Sequence, residues 1–143
     1  MRARCRDARV IGRAVLRDHR FVVTRDGYAS VMPARGDVVH GLLWRISPRD
    51  LAALNAYENI EAGLFRRVLR SVQADGRSVK AIVYIGRSGA PGRPRAGYME
   101  LVATAAREAG LPSDYVAGLE RFSALPGRAA VAPNGVRYEQ RRA

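Results

Sequence analysis

The sequence has little of several features that would reveal a function directly. Cys5 is the only cysteine in 143 residues, which excludes an intrachain disulfide and a multi-cysteine metal site. No apolar run approaches the roughly 18 to 20 residues that span a bilayer, and no apolar signal core follows the basic start. The patterns CxxC, HExxH, GxGxxG and the P-loop are also absent. We therefore expect a cytoplasmic protein that uses no metal and no other cofactor.

Lysine and acidic residues are scarce as well. Lys80 is the only lysine among 25 basic residues, against 13 acidic ones, and the net charge is +12. The arginines are dispersed over every segment, a distribution that a GC-rich coding sequence produces as readily as a binding surface. Three Phe, six Tyr and one Trp, with no run among them, provide no evident surface for stacking bases. We expect no specific nucleic-acid partner, although the charge would steer anionic ligands over long range.

The remaining composition is that of a globular domain. Hydrophobic residues make up 48% and charged residues 27% of the chain, and the length suits one core and not two. We assign residues 1–125 to this single domain. The segment 126–143 has few large apolar residues and ends in charge, so we expect a weakly ordered basic tail.

Apolar alternation and turn residues predict strands first and helices last. The expected strands are Arg9–Leu16, Phe21–Thr24, Ala29–Met32, Val38–Ile46, Leu64–Gln73 and Val79–Ile85, and the expected helices are residues 48–58, Tyr98–Ala109 and Ser113–Phe122. The Gly-, Pro- and Arg-rich segment 86–97 must be a loop, either a lid or a plain connection. This order predicts an α+β fold, in which a mainly antiparallel sheet closes or nearly closes into a small barrel with flanking helices.

A carboxylate stands where the first predicted helix ends. The helix begins with Ser47 as N-cap, then proline, with an acid three residues after the cap. Leu51, Leu54 and Glu58 are spaced i, i+3, i+7, so that one helix face carries two leucines and then the carboxylate. Because apolar surroundings disfavour a charge, we expect a raised pKa for Glu58, in the range useful for general acid–base catalysis. Position alone also fits a solvated acid at a helix end.

The segment from Glu58 to Arg67 resembles the YEG(V/I)xxGxYxR box of the gamma-glutamylcyclotransferase-like (AIG2-like) family. Other segments resemble the family in the same order: Arg4–Ala8, Gly27–Val31, Val39–Trp44, Ala81–Tyr84, and Glu108–Pro112 followed by Tyr115. The ordered set covers roughly residues 4–119. The resemblance implies the same barrel and a cofactor-free lyase acting on a gamma-glutamyl amino acid, amine or peptide.

The resemblance also assigns roles to individual residues. Glu58 matches the general acid/base of an internal cyclisation, in which the α-amino group attacks the γ-carbonyl and leaves 5-oxoproline. Tyr98 matches a tyrosine that lies against the bound glutamyl group, although a packing role is the alternative. Gly63 and Phe65, within the box, are expected to line the substrate site. Phe65 stands where many relatives have tyrosine, and Asn59 stands where the family usually has glycine.

The family's first strand and its loop, reading close to YGSN, have no counterpart in this sequence. The amides of that loop grip the substrate and stabilise the charge on the reacting carbonyl, and losing one such contact costs about 10²–10³ in rate. We expect either that coding sequence continues upstream of Met1 or that catalysis has been lost. A non-catalytic small-molecule-binding module of the same fold is therefore the second hypothesis. A missing first strand would also leave a sheet edge through which a homodimer could form.

Overall fold

A computed structural model describes residues 5–58, 60–87 and 91–123. Four strands and three helices follow in the order β1 (Arg9–Val23), β2 (Ala29–Arg45), α1 (Pro48–Tyr57), β3 (Phe65–Ala74), β4 (Arg77–Gly86), α2 (Tyr98–Glu108) and α3 (Ser113–Ser123). The three predicted helices are confirmed. None of the described helices is long and apolar enough to span a membrane. The predicted tail 126–143 and Asn59 lie outside the described residues.

The prediction of four short strands before α1 was wrong, because of the predicted turns only Asp26-Gly27 reverses the chain. Residues 17–19 and 34–37 interrupt β1 and β2 without ending them. The ladder continues on both sides of these residues through the pairs Arg17–Val38 and His19–Pro33. Between those pairs the segment 34–37 bulges out of β2 opposite Asp18, which has a φ of +55°. Asp18 Oδ1 accepts a hydrogen bond from the Gly36 N–H at 2.9 Å. Gly and Asp therefore form an irregularity inside one long hairpin, where a side chain satisfies a backbone group that the ladder leaves unpaired.

The predicted hairpin turn between the last two strands is confirmed. Asp75 and Gly76 have φ values of +49° and +71°, as a two-residue type I′ turn requires. The β3–β4 ladder runs without a register shift from the pair Ala74–Arg77 at the turn to Phe65–Gly86 at the far end. Asp-Gly therefore sets the register of the whole hairpin.

The four strands form one antiparallel sheet in the order β2-β1-β3-β4. The two hairpins join through a single pair, Val15 of β1 with Gln73 of β3. The edge strands β2 and β4 approach each other where the Gly86 N–H donates to Ser30 Oγ at 2.9 Å. In the described part of the chain no ladder joins β2 to β4. The α+β class is thus confirmed, whereas the sheet is curled but open and a closed barrel is not shown.

Three apolar clusters stabilise this arrangement. The strand core combines side chains from all four strands, with Leu16, Val31, Val72 and Ile85 at its centre. The helix-side core joins α2 and α3 to the sheet and consists of Phe21, Val23, Tyr28, Ala29, Phe65, Tyr98, Met99, Val102, Ala103, Ala106, Leu111, Val116 and Leu119. The amino-terminal core contains Cys5, Ala8 and Leu54. The end of α1 lies where the last two cores meet, because Leu54 belongs to the amino-terminal core and Tyr57 packs against the helix-side core.

Candidate active site around Glu58

A capping box fixes the start of α1. Ser47 Oγ accepts a hydrogen bond from the Asp50 N–H at 3.1 Å, and Asp50 Oδ2 accepts one from the Ser47 N–H at 3.2 Å. Two amides that would otherwise lack partners at the helix start are satisfied in this way. Asp50 itself is buried, so the first turn of α1 packs against the rest of the fold and does not project into solvent. The helix then runs ten residues to its C-terminal end.

Glu58 is the C-cap of α1. Its backbone N–H donates to Leu54 O at 2.8 Å, and the residue as a whole is only 2% exposed. The alternative of a solvated acid at the helix end is therefore excluded. Acidic side chains are rarely buried to this degree without a structural or chemical use.

The residues on either side of Glu58 place it at a junction of two cores. Tyr57 and Ile60 pack against the helix-side core, whereas Leu54, one turn earlier, belongs to the amino-terminal core. After the helix the chain turns back, because the Ile60 N–H donates to Asn55 O at 3.2 Å. Glu58 thus lies between a helix that ends in regular hydrogen bonds and a hydrogen bond that folds the chain back onto that helix.

Gly63 closes the turn that leads from Glu58 into β3. Its N–H donates to Ile60 O at 3.1 Å, and its φ of +75° is one that residues with a side chain rarely adopt. A β-carbon at this position would lie 3.7 Å from a guanidinium nitrogen of Arg87. The positive φ of Gly63 therefore favours glycine at this turn. The side chain of Arg87 lies next to the side of Gly63 where a β-carbon would be.

Phe65 opens β3 and is buried in the helix-side core. It pairs with Gly86 across the ladder, where a β-carbon would come 3.5 Å from the Phe65 ring and 2.7 Å from Thr24 Cγ2. The structure thus gives Phe65 a tightly packed position beside Ser30 and Gly86. Whether it contacts substrate stays a prediction.

Tyr98 is the first residue of α2 and is 7% exposed. Its phenol oxygen accepts a hydrogen bond from the Ala29 N–H at 3.1 Å, and its ring meets Tyr28 edge to face with centroids 5.7 Å apart. Tyr98 therefore ties the start of α2 to the start of β2. It shares the helix-side core with Phe65, and Glu58 borders that core through its neighbours.

Sequence reasoning missed the contact between Tyr84 and Asn55. The Tyr84 hydroxyl donates to Asn55 Oδ1 at 2.8 Å, which anchors the last turn of α1 three residues before Glu58. The apolar strand pattern around Tyr84 indicates only a core position, and it does not show which residue the hydroxyl will meet 29 positions away. The only available signal was that Asn55 lies on the helix turn that ends at Glu58.

Tyr115, on α3, is a titratable residue with a shifted pKa. Burial raises the pKa of Tyr115 to about 12, although a hydrogen bond with the His40 backbone lowers it in part. The rings of Tyr115 and His40 pack edge to face with their centroids 4.8 Å apart. Tyr115 thus stays protonated at neutral pH. Within residues 5–58, 60–87 and 91–123, no group of three or more His, Cys, Asp or Glu side chains could hold a metal ion.

Comparisons with known sequences identify relatives across much of the chain. Residues 38–119 match the AIG2-like family. Gamma-glutamylcyclotransferases of Mus musculus and Homo sapiens are 24% and 23% identical to this chain over 90 residues, which are 62% of it and 48% of each relative. The chain therefore spans about half the length of the curated relatives it matches.

Solved structures share the fold. A gamma-glutamyl cyclotransferase superposes with a TM-score of 0.77 at 19% identity, covering 96% of this chain and 85% of that one. YkqA from Bacillus subtilis superposes with a TM-score of 0.72 at 24% identity, over 83% of this chain and 46% of that one. The segment that matches the family contains Glu58, Gly63, Phe65 and Tyr98.

Proposed function

Because the chain belongs to the AIG2-like family, we propose that it is a gamma-glutamylcyclotransferase-like lyase. Its substrate would be a gamma-glutamyl amino acid, amine or peptide, and its products 5-oxoproline and the free amine. The observation that carries the proposal is the burial of Glu58, 2% exposed, at the C-cap of α1 within the matched segment. The names of the sequence relatives support the reaction type.

The proposed reaction needs one proton-transfer group and a folded substrate. The α-nitrogen of the glutamyl group bonds to its own γ-carbonyl carbon, and the amide bond from that carbon to the leaving nitrogen breaks. The attacking nitrogen gives up two protons on its way from ammonium to lactam N–H. Glu58 takes the first from the α-ammonium group and delivers it to the departing nitrogen, and the second leaves the attacking nitrogen as the ring closes and passes to the free amine, which departs as an ammonium ion, so that the carboxylate is regenerated. Nucleophile and electrophile belong to one molecule, so correct positioning supplies much of the rate.

The other three residues would position the glutamyl group. The phenol of Tyr98, held by the Ala29 N–H, would orient its polar end. Phe65 would pack on its methylene groups, and Gly63 would leave space beside them. The contact between Gly86 and Ser30 brings the edge strands together near Phe65, which supports the concave end of the curled sheet as the substrate site.

The substitution Glu58→Gln tests the proposal. It keeps the shape of the side chain and removes the base, so we expect kcat for 5-oxoproline release to fall at least about 100-fold with little change in substrate affinity. Release is followed by chromatography on a panel of gamma-glutamyl amino acids, amines and peptides. Glu61→Gln is the matched control, since Glu61 lies in the same segment but is exposed.

Four results of this experiment have distinct meanings. Turnover that depends on Glu58 and not on Glu61 supports the lyase. Substrate binding by calorimetry without turnover favours the non-catalytic binding module. A Glu58→Gln variant with full activity, or a wild-type chain that neither binds nor converts any gamma-glutamyl compound, contradicts the proposal.

A further inference from the structure

Among the strands that the structure describes, none lies beside the outer edge of β4 over its first half. β4 is the last strand of the sheet, and no described strand pairs with its outer edge between Arg77 and Ile82. In a two-residue hairpin the pair next to the turn exchanges both hydrogen bonds, and bonded and non-bonded pairs then alternate. The backbone N–H and C=O groups of Ser78, Lys80 and Ile82 therefore point away from β3.

The far end of β4 supports this assignment. The same alternation makes Phe65–Gly86 a non-bonded pair, so that the Gly86 N–H also points away from β3. That N–H donates to Ser30 Oγ on β2. β2 thus satisfies the edge of β4 at Gly86, whereas the edge remains open toward the turn.

Exposed apolar side chains accompany the open edge. Leu69 and Ile82 are 64% and 37% exposed and face each other across the ladder. Val79, on the opposite face of β4, is 36% exposed. An added strand would cover apolar surface on both faces of the sheet while it pairs with the edge, which is the usual chemistry of strand addition.

The positive charge of the β3–β4 hairpin indicates which kind of strand could pair with the edge of β4. Between Phe65 and Gly86 the only acid is Asp75, in the turn, and the basic residues are Arg66, Arg67, Arg70, Arg77 and Lys80. A second copy of β4, paired antiparallel about Lys80, would bring Lys80 against Lys80, which destabilises strand pairing. The chain's own segment 124–143 is also basic, with four arginines and one glutamate. A second copy of β4 and the segment 124–143 would both be repelled by the positive charge of the hairpin, whereas an acidic strand would be attracted by it.

We propose that the edge of β4 from Ser78 to Ile82 binds an extended acidic segment of another protein as an added strand. The segment supplies backbone groups to Ser78, Lys80 and Ile82. It places carboxylates on the face of Lys80 and apolar side chains on the face of Val79. This site is separate from Glu58 and does not depend on the proposed lyase activity.

A synthetic peptide tests the proposal directly. The probe is an acetylated, amidated eight-residue peptide of alternating valine and glutamate, compared with the same peptide carrying lysine for glutamate. We expect the intact chain to bind only the acidic peptide, as measured by fluorescence anisotropy of a labelled probe. Lys80→Glu should weaken that binding about tenfold or more and create binding to the lysine peptide. Arg35→Glu, an equal charge change in the exposed bulge of β2, should do neither.

A second variant separates pairing from charge. Ser78→Pro removes one outward N–H and no charge, and proline is tolerated at such edge positions. Loss of binding by folded Ser78→Pro, together with the charge exchange at Lys80, supports strand addition. Equal binding of both peptides, unchanged binding by Lys80→Glu, or a homodimer in sedimentation that Ser78→Pro dissociates would overturn the proposal.

Discussion

A single hydroxyl can join two elements of the fold, and Tyr98 does so. Its oxygen accepts from the N–H of Ala29, a residue only 1% exposed. If the hydroxyl is removed, the Ala29 N–H stays buried but has lost its acceptor. The free-energy cost of an unsatisfied buried donor exceeds the net stabilisation that the hydrogen bond provided. Tyr98 therefore has a structural role whether or not it also orients a substrate.

We expect Tyr98→Phe to lower the free energy of unfolding by about 1–2 kcal/mol. Urea denaturation followed by circular dichroism measures the change, and the slope of the transition should stay constant, since the surface exposed on unfolding is unaltered. An unchanged midpoint would contradict the structural role and leave the orientation of substrate as the use of the hydroxyl.

At the scale of helices and strands, the features that the sequence predicts best are those that depend on interactions between residues close together in the chain. The capping residues of α1 and the Asp75–Gly76 turn were predictable because each interaction lies within a few residues of chain. The merging of four predicted strands into β1 and β2 was not, since Gly and Asp suit a bulge as well as a turn. The sequence can show where regular pairing is interrupted, but only the partner strand determines whether pairing resumes.

Helix periodicity, which is also a local property, predicted part of the candidate site. The periodicity of Leu51 and Leu54 predicted a carboxylate against apolar surface, and Glu58 is buried. The hydrogen bond between Tyr84 and Asn55 could not be predicted, because it depends on how α1 packs on β4. The predicted roles of Glu58, Gly63 and Phe65 in substrate chemistry rest on the family.

The capping box of α1 provides a test at this scale. We expect Ser47→Ala to lower the free energy of unfolding by about 1 kcal/mol, the usual cost of removing an N-cap hydroxyl. The measurement is urea denaturation. Arg49→Ala, exposed in the same turn, should change stability by no more than about 0.5 kcal/mol. Equal effects of the two substitutions would show that the cap contributes nothing.

For the molecule as a whole, charge is the dominant property. A net charge of +12 attracts any polyanion at low salt, whatever its sequence, because contacts to phosphates release counterions. Electrostatic attraction of this kind is weaker evidence for a nucleic-acid function than base contacts would be. Small anionic substrates and acidic protein segments would be drawn to the same surface.

We expect binding to duplex or single-stranded DNA, if measured at low salt, to vanish by about 0.2 M salt and to show no sequence preference. Anisotropy titrations of two unrelated labelled oligonucleotides over a series of salt concentrations provide the measurement. Tight binding of one sequence over the other at the highest salt would establish a nucleic-acid function that neither the sequence nor the site predicts.

The single pair between Val15 and Gln73 has a consequence for how the molecule opens. Each hairpin is held by a long ladder, whereas the two ladders are connected by this bridge, by the hydrogen bond from the Gly86 N–H to Ser30 Oγ and by the packing beneath them. Partial opening should therefore separate the hairpins before either one frays, with slow amide exchange within each hairpin and faster exchange along the seam. Glu58 lies on the covalent connection between the hairpins, so this motion would admit water to an acid that is only 2% exposed in the closed protein.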